Sequence, residues 1–284
     1  MLRPFRLEEP QSLKEVSELL SRFGESAKLY AGGTELLLAM KEGLVHFERL
    51  INIKNVQGLN QVTPDNGMIR IGALCTHRQL ETSPLLQEKV AALARLEQNV
   101  ANVRVRQVGT LGGNLCFAEP HADPGTLLIA LGAKMVAEKA DSKREIPAER
   151  FFVDAYETCL EADEVLTEIQ VPVSAEKCAY LKFGYLERPS VGVAVALSVD
   201  QAGKSINDVK IAVGCAGPAP KRVPEAEEQI KRKSVDEAIA SISQAGVIAG
   251  RAALAISDLH GSWEYKEHIV GVLLKRAFQN ALSQ

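Results

Sequence analysis

The chain lacks long hydrophobic runs and any excess of basic residues, and each absence excludes a class of protein. No apolar stretch in its 284 residues approaches the roughly 20 residues that a membrane-spanning helix needs. Its 33 Lys and Arg residues are scattered and are outnumbered by 36 Asp and Glu residues. Because nucleic-acid binding depends on clustered positive charge, we expect neither a nucleic-acid partner nor a membrane span.

Cysteine is also scarce, and its placement argues against a disulfide framework or an iron–sulfur site. The five cysteines are odd in number and widely spaced, without a C-x-x-C pair: Cys75, Cys116, Cys159, Cys178 and Cys215. The N-terminus leads directly into polar sequence and has no apolar signal region. These features predict a cytoplasmic protein with reduced cysteines.

The two common nucleotide-binding motifs, G-x-G-x-x-G and G-x-x-x-x-G-K-[ST], are absent, but two other glycine-rich segments are present. They are residues 31–35 (Ala-Gly-Gly-Thr-Glu) and 109–114 (Gly-Thr-Leu-Gly-Gly-Asn), roughly eighty residues apart. Glycine lets backbone N–H groups approach a phosphate because no Cβ intervenes. Either segment alone is more typical of an ordinary turn. Together they indicate a dinucleotide held between two loops, although their spacing does not establish that the loops meet.

Hydrophobic periodicity predicts three units, at residues 1–56, 57–174 and 175–284. In the first, a Ser12/Glu15 capping box starts a helix that ends at Gly24, and a βαβ-like unit follows. The second is predicted to be strand-rich, with one helix from Ser83-Pro84 to about residue 102. The other predicted elements are strands 28–31, 50–53, 68–73, 133–137, 143–146, 165–171, 191–199 and 209–213, and helices 34–41, 235–256 and 265–282.

Other polar residues admit both functional and structural interpretations. Glu119, His121 and Asp123 form a loop that resembles a metal cluster, but no second histidine stands at ligand spacing, so metal binding is the weaker hypothesis. Asp123 is either a helix cap or a hydrogen-bond acceptor for a cofactor. Lys182 either reaches a site or extends its ammonium to solvent along the core. The His260-Gly261-Ser262 segment is interpreted as a turn between two helices.

At several of these positions the chain resembles the FAD-binding (medium) subunits of the molybdenum hydroxylases, the family of xanthine dehydrogenase and carbon monoxide dehydrogenase. The resemblance covers the whole chain. The segments that carry it are 31–36, 105–115, Ala122-Asp123 before residues 131–133, Arg188-Pro189-Ser190, 258–262 and 275–277. Glu35, where many bacterial relatives carry Ser or Asp, makes the first segment more similar to the xanthine dehydrogenase type.

The resemblance implies an α+β fold: a two-lobed FAD-binding fold of the vanillyl-alcohol-oxidase/MurB-like (PCMH) type and a C-terminal domain of antiparallel sheet and helices. The lobes would be residues 1–56 and 57–174, with FAD between them and backbone amides at its pyrophosphate. Leu166 would pack against FAD, and Lys182 would be a cation near the flavin. The implied FAD contacts are Leu29, Tyr30, Ala31, Gly32, Gly33, Thr34, Glu35, Leu36, Thr110, Leu111, Gly112, Gly113, Asn114, Asp123, Leu166 and Lys182.

The implied role is electron transfer, with no catalytic side chain and no metal on this chain. A large subunit would carry the molybdenum cofactor and a small subunit two [2Fe–2S] clusters, in a dimer of heterotrimers. Two alternatives are a self-sufficient FAD-dependent oxidase and a nucleotide-binding scaffold without redox activity. A β-branched residue at Gly112 or Gly113 is expected to remove FAD and leave much of the fold intact.

Overall fold

The computed structural model describes residues 2–173, 177–184 and 188–284. Its helices are α1 (Leu13–Phe23), α2 (Leu36–Lys41), α3 (His77–Glu81), α4 (Pro84–Lys89), α5 (Ala91–Glu97), α6 (Val103–Val108), α7 (Leu111–Phe117), α8 (Pro124–Ala130), α9 (Pro224–Glu227), α10 (Val235–Ala252) and α11 (Trp263–Leu282). Its strands are β1 (Arg6–Glu8), β2 (Ala27–Tyr30), β3 (Arg49–Asn52), β4 (Val62–Asp65), β5 (Met68–Gly72), β6 (Lys134–Lys139), β7 (Ser142–Pro147), β8 (Phe152–Asp154), β9 (Glu157–Thr158), β10 (Val165–Pro172), β11 (Lys177–Phe183), β12 (Val191–Val199), β13 (Ile206–Gly214) and β14 (Lys221–Arg222).

The N-terminal sheet is parallel, with strand order β1-β3-β2, and α2 connects β2 to β3. This confirms the βαβ-like unit. Helix α2 begins at Leu36 rather than Thr34, because Gly33 has φ +74°, outside the helical region. The capping box of α1 is half formed: Ser12 accepts from the Glu15 amide, but the Glu15 carboxylate accepts from the Gln11 amide.

The middle sheet has the order β4-β5-β10-β6-β7, and all its neighbours are antiparallel. The predicted hairpin, β6–β7, and the strand β10 are confirmed. The single helix predicted from residue 84 to about 102 is wrong: α4 and α5 are separated at Val90, whose φ and ψ are −141° and 57°. Leu86 and Leu93 are both fully buried. Periodicity therefore identified the buried face but missed the backbone break.

The second glycine segment is also different from the prediction, because it begins a helix instead of forming a turn. The Thr110 side chain caps α7 by accepting from the Gly113 amide, with an N–O distance of 3.1 Å. Gly112 and Gly113 therefore lie in the first turn of α7. A run of small residues after a threonine is compatible with either structure, and the cap decides for the helix.

The C-terminal sheet is antiparallel, with order β11-β12-β13-β14, and both of its central strands are confirmed. Strand β12 is buried on both faces, and its side chains alternate in size. Val193 and Val195 pack with α10 and α11, whereas Ala194 and Ala196 join the core of the middle region. The small residues allow the middle region to approach this sheet closely.

The α+β class is thus the observed one. We propose domain boundaries at 56/57 and 174/175, because each interval holds one principal sheet. The second boundary falls at residues outside the described part of the chain. No helix in the described ranges is long and apolar enough to cross a membrane.

Candidate functional site

The two glycine segments lie against each other. A Cβ on Gly32 would overlap the carbonyl oxygen of Val108 and lie 2.8 Å from the Cα of Gly109. A Cβ on Gly109 would in turn lie 3.5 Å from the Thr34 hydroxyl oxygen. The first loop can approach α6 and the start of α7 this closely only because both positions are glycine. The sequence alone did not establish that the two segments meet, and the structure shows that they do.

The first loop presents a row of free backbone donors. Gly33 is in the left-handed region, and the N–H groups of Gly32, Gly33 and Thr34 meet no acceptor in residues 2–173, 177–184 or 188–284. The Gly33 carbonyl accepts from the Leu37 amide, which anchors the loop to α2. Successive amides in such a turn form a concavity that suits an anion.

The second segment has a different chemistry, because its amides are already bonded. The Leu111 amide donates to the Cys75 carbonyl, the Gly112 amide to the Ala73 carbonyl, and the Gly113 amide to the Thr110 hydroxyl. The backbone amides expected to meet a pyrophosphate here are therefore occupied. Within the described part of the chain, the side-chain oxygen of Asn114 is buried without a hydrogen-bond partner. Together with the free amides of the first loop, this orphaned acceptor fits a polar ligand such as a dinucleotide.

The two glycines proposed for substitution, Gly112 and Gly113, have different surroundings in the structure. A Cβ on Gly112 would lie 2.7 Å from the backbone oxygen of Ala73, whereas one on Gly113 would meet only the Thr110 hydroxyl, at 2.8 Å. A side chain at Gly112 would therefore displace α7 from Ala73, the residue that follows β5. Only Gly113 allows a substitution that leaves the surrounding backbone in place.

The apolar residues of the predicted site are mostly core residues. Leu36, Leu111 and Leu166 are 9%, 0% and 3% exposed, and Leu166 lies on β10 opposite Ala137. Leu29, Tyr30 and Ala31 lead from β2 into the first loop. The side chains of Leu36, Leu111 and Leu166 therefore belong to the hydrophobic core. No contact among the described residues places Leu166 where the two glycine segments meet.

Asp123 and Lys182, far apart in sequence, form an ion pair. The alternation of β11 places Tyr180 and Lys182 on the same face, and both reach Asp123 at the start of α8. The Tyr180 hydroxyl donates to one Asp123 oxygen at 2.6 Å, and the Lys182 ammonium donates to the other at 2.9 Å. Gly192, opposite Lys182 on β12, leaves room for the Tyr180 ring.

This arrangement shows what the two side chains contact within the protein. Asp123 stands at the N-cap position of α8, but its side chain makes no cap hydrogen bond to that helix. The Lys182 ammonium also donates to the Asn99 carbonyl at 2.7 Å, so it does not simply extend to solvent. Burial raises the pKa of Asp123, while the Lys182 and Tyr180 contacts oppose that rise.

Glu35 of the first loop connects to the C-terminal domain through a chain of ion pairs. Arg188 donates to both Glu35 and Glu119, and the His121 ring contacts Glu119 at 3.0 Å. The other ring nitrogen of His121 lies 3.1 Å from Asp258. Since Asp258 also accepts from the buried ammonium of Lys266, the loop at 119–123 is tied to the start of α11.

His121 should make stability dependent on pH, because hydrogen bonding to Glu119 raises its pKa above the ordinary 6.5. Its contribution is complete below the unfolded-state pKa and is lost as pH rises through the folded-state pKa. We expect the unfolding free energy to fall across that interval and His121→Gln to flatten the change. Urea unfolding at several pH values measures this, with the exposed His46→Gln as control. An equal slope in His121→Gln and the wild-type chain would contradict the prediction.

Sequence reasoning missed a buried pair that lies beside this site. His77 on α3 and Glu97 on α5 are 2% and 0% exposed, and the His77 Nδ1 lies 2.5 Å from a Glu97 oxygen. They are twenty residues apart on separate short helices. No spacing pattern in the sequence connects them, so packing of α3 against α5 was needed to reveal the pair.

Three principal sheets and two abutting glycine segments, one of which presents free amides, define an α+β class of protein with an anion-binding loop. Residues 3–174 match the FAD-binding domain in molybdopterin dehydrogenase, and residues 188–281 match the CO dehydrogenase flavoprotein C-terminal domain. The chain belongs to the FAD-binding medium subunits of the molybdenum hydroxylases, which are oxidoreductase components.

Individual relatives match over nearly their whole length. The nicotine 6-hydroxylase medium subunit of Paenarthrobacter nicotinovorans is 31% identical over 99% of this chain and 98% of its own length. The carbon monoxide dehydrogenase medium chain of Hydrogenophaga pseudoflava is also 31% identical, over 98% and 96%. A solved structure of carbon monoxide dehydrogenase from Hydrogenophaga pseudoflava has a TM-score of 0.96, at 31% identity, covering 100% of this chain and 99% of that chain.

Proposed function

We propose that this chain carries FAD as the electron-transfer subunit of a molybdenum hydroxylase. It would accept electrons from [2Fe–2S] clusters of a small partner subunit and pass them to an external acceptor. The observation that carries the proposal is the row of free amides, at Gly32, Gly33 and Thr34, where the two glycine segments touch. These donors suit the diphosphate of a dinucleotide.

The proposed FAD contacts are the residues expected from the sequence, with roles adjusted to the geometry. The first loop supplies amides, Asn114 supplies a side-chain acceptor, and the Lys182 ammonium supplies a charge held by Asp123. The apolar members fix the shape of the walls. The full set is Leu29, Tyr30, Ala31, Gly32, Gly33, Thr34, Glu35, Leu36, Thr110, Leu111, Gly112, Gly113, Asn114, Asp123, Leu166 and Lys182.

The bound flavin supplies the redox chemistry, and the protein holds it in place and sets its electrostatic surroundings. No side chain of this protein would therefore need to act as an acid or a base. We place the molybdenum cofactor on a large partner subunit, in a dimer of heterotrimers, and the whole assembly in the cytoplasm. The support for partners is that the relatives are themselves medium chains or subunits.

The test is purification of the native assembly, with FAD quantified per copy of this chain and the co-purifying subunits identified. We expect about one FAD per chain, together with a molybdenum-containing and an iron–sulfur subunit. An assembly that contains those subunits but no FAD would overturn the assignment of the two glycine segments.

The alternatives give different results in the same experiment. A chain that purifies alone, binds FAD and reduces oxygen with its own substrate would be a self-sufficient oxidase. A chain that binds a nucleotide but shows no flavin spectrum would be a scaffold. Neither has a specific structural observation in its favour.

A further inference from the structure

One arginine of the C-terminal domain joins the segments that carry the two glycine motifs. The Nη2 of Arg188 donates to both carboxylate oxygens of Glu35, at 3.1 and 2.9 Å, and its Nη1 lies 2.9 Å from an oxygen of Glu119. Glu35 is the last residue of the first glycine segment and stands at the N-cap position of α2. Glu119 follows the end of α7, the helix that the second glycine segment begins. A single guanidinium therefore links all three proposed domains next to the first loop.

The backbone of Arg188 is fixed to the end of β11. The Ser190 amide donates to the Phe183 carbonyl at 2.7 Å. A Cβ on Gly184 would lie 2.6 Å from the Cα of Pro189 and 2.9 Å from the carbonyl oxygen of Arg188, so this close approach requires glycine. The guanidinium thus extends from a backbone that is held against the C-terminal sheet.

Glu35 places a negative charge next to the row of free amides. It directly follows Thr34 in the chain. Because consecutive Cα atoms are about 3.8 Å apart, the length of one glutamate side chain keeps the Glu35 carboxylate within about 10 Å of the Thr34 amide. That is about one Debye length at about 0.1 M salt, so the carboxylate opposes the binding of a diphosphate at those amides. The loop should bind an anion more tightly when a cation offsets this charge.

Arg188 is the cation in that position. In the described part of the chain, it is the only cationic side chain paired with Glu35. Burial lowers the pKa of Arg188, but the charges of Glu119 and Glu35 outweigh burial and hold the pKa above its usual value. The side chains of Arg188 and Glu35 are 42% and 38% exposed, and exposed ion pairs contribute little to folding stability. The effect of the pair should therefore appear in ligand binding rather than in unfolding.

We propose that Arg188 is a positioning residue for the FAD site. Through its contacts with Glu35 and Glu119 it holds the first loop to the middle domain, and it offsets the charge that Glu35 would otherwise present to the diphosphate. Arg188 itself need not touch FAD. The inference rests on the proposed function, because it requires that the free amides of the first loop bind the diphosphate.

The test is titration of the full chain, freed of FAD, with FAD. We expect Arg188→Met to weaken binding about fivefold to tenfold, because the charge of Glu35 is no longer offset. Adding Glu35→Gln should bring the dissociation constant back to within about threefold of the wild-type value. Arg70→Met is the matched control, because Arg70 also contacts two carboxylates, Asp65 and Glu168, and its side chain is 40% exposed. Its loss should leave FAD affinity unchanged.

Salt distinguishes this electrostatic role from a merely structural one. The difference in affinity between Arg188→Met and the wild-type chain should narrow when KCl is raised from about 0.05 M to about 0.5 M, because screening weakens the repulsion by Glu35. Equal affinities of the two chains at low salt would overturn the proposal. A difference that neither salt nor Glu35→Gln reduces would overturn it as well.

The same titration distinguishes failure of this inference from failure of the proposed function. A wild-type chain that binds no FAD would refute the proposed function, and with it the role of Arg188. A wild-type chain that binds FAD no more tightly than Arg188→Met would refute the role of Arg188 alone.

Discussion

The variant Gly32→Ala is expected to lose most of its affinity for FAD. A methyl group at this position overlaps the carbonyl oxygen of Val108, a backbone atom that cannot turn away. The first loop must then separate from Gly109, which moves the amides of Gly33 and Thr34 with it. Since overpacking costs about 1–3 kcal/mol, the dissociation constant should rise about 5- to 150-fold. Titration of the apo-chain with FAD measures this change.

Two other glycines provide the comparisons. Gly271→Ala places its methyl group 3.5 Å from the backbone of Gly246, an ordinary contact between α10 and α11, and should leave binding unchanged. Gly113→Val should weaken binding while the fold survives, because only the Thr110 hydroxyl is in the way. Equal FAD affinities for Gly32→Ala and Gly271→Ala would contradict the proposed junction.

The second large effect is expected from Lys182→Met, which leaves Asp123 buried without its cation. Breaking a buried ion pair costs about 3–5 kcal/mol, and the partial exposure of Lys182, 26%, reduces the expected loss in unfolding free energy to about 2–3 kcal/mol. Urea unfolding of the apo-chain measures it. FAD binding should weaken in the same variant, because the charge that we place near the flavin is gone.

A double variant shows whether the stability loss comes from the stranded carboxylate. Asp123→Asn together with Lys182→Met removes both charges, and we expect it to recover at least half of the lost stability. Lys134→Met, which breaks an exposed pair with Glu145, is the control and should change stability by less than about 1 kcal/mol. If the double variant were less stable than Lys182→Met, the ion-pair explanation would be wrong.

The sequence predicted strands and long helices well where their apolar residues form a clear pattern with defined ends. Strand β12 and helix α11 have repeating apolar residues with clear ends, and both were found close to their predicted bounds. The helix across Val90 was wrong because α4 and α5 present their apolar residues to the same core. Hydrophobic periodicity shows which residues are buried. It does not reveal a break in the backbone between two helices that face the same core.

The site was predictable only as separate pieces. The glycine segments and Asp123 were visible in the sequence, but the contact between Gly32 and Val108 depends on how α6 packs beside the first loop. The hydrogen bonds that the α7 amides donate to the carbonyls of Ala73 and Cys75 depend on the positions of β5 and of the turn after it. Such contacts are long-range, and no local pattern contains them.

The placement of Lys182 on β11 limits how modular this protein can be. The segment 3–174 contains both glycine segments and Asp123, whereas the cation that compensates Asp123 comes from the first strand of the following sheet. A fragment that stops before β11 would retain the loops and lose both side chains that contact the Asp123 carboxylate, Tyr180 and Lys182. Recombination between related chains would have to carry Asp123, Tyr180, Lys182 and Gly192 together, so inheritance of the proposed flavin site would not respect the domain boundary that we propose.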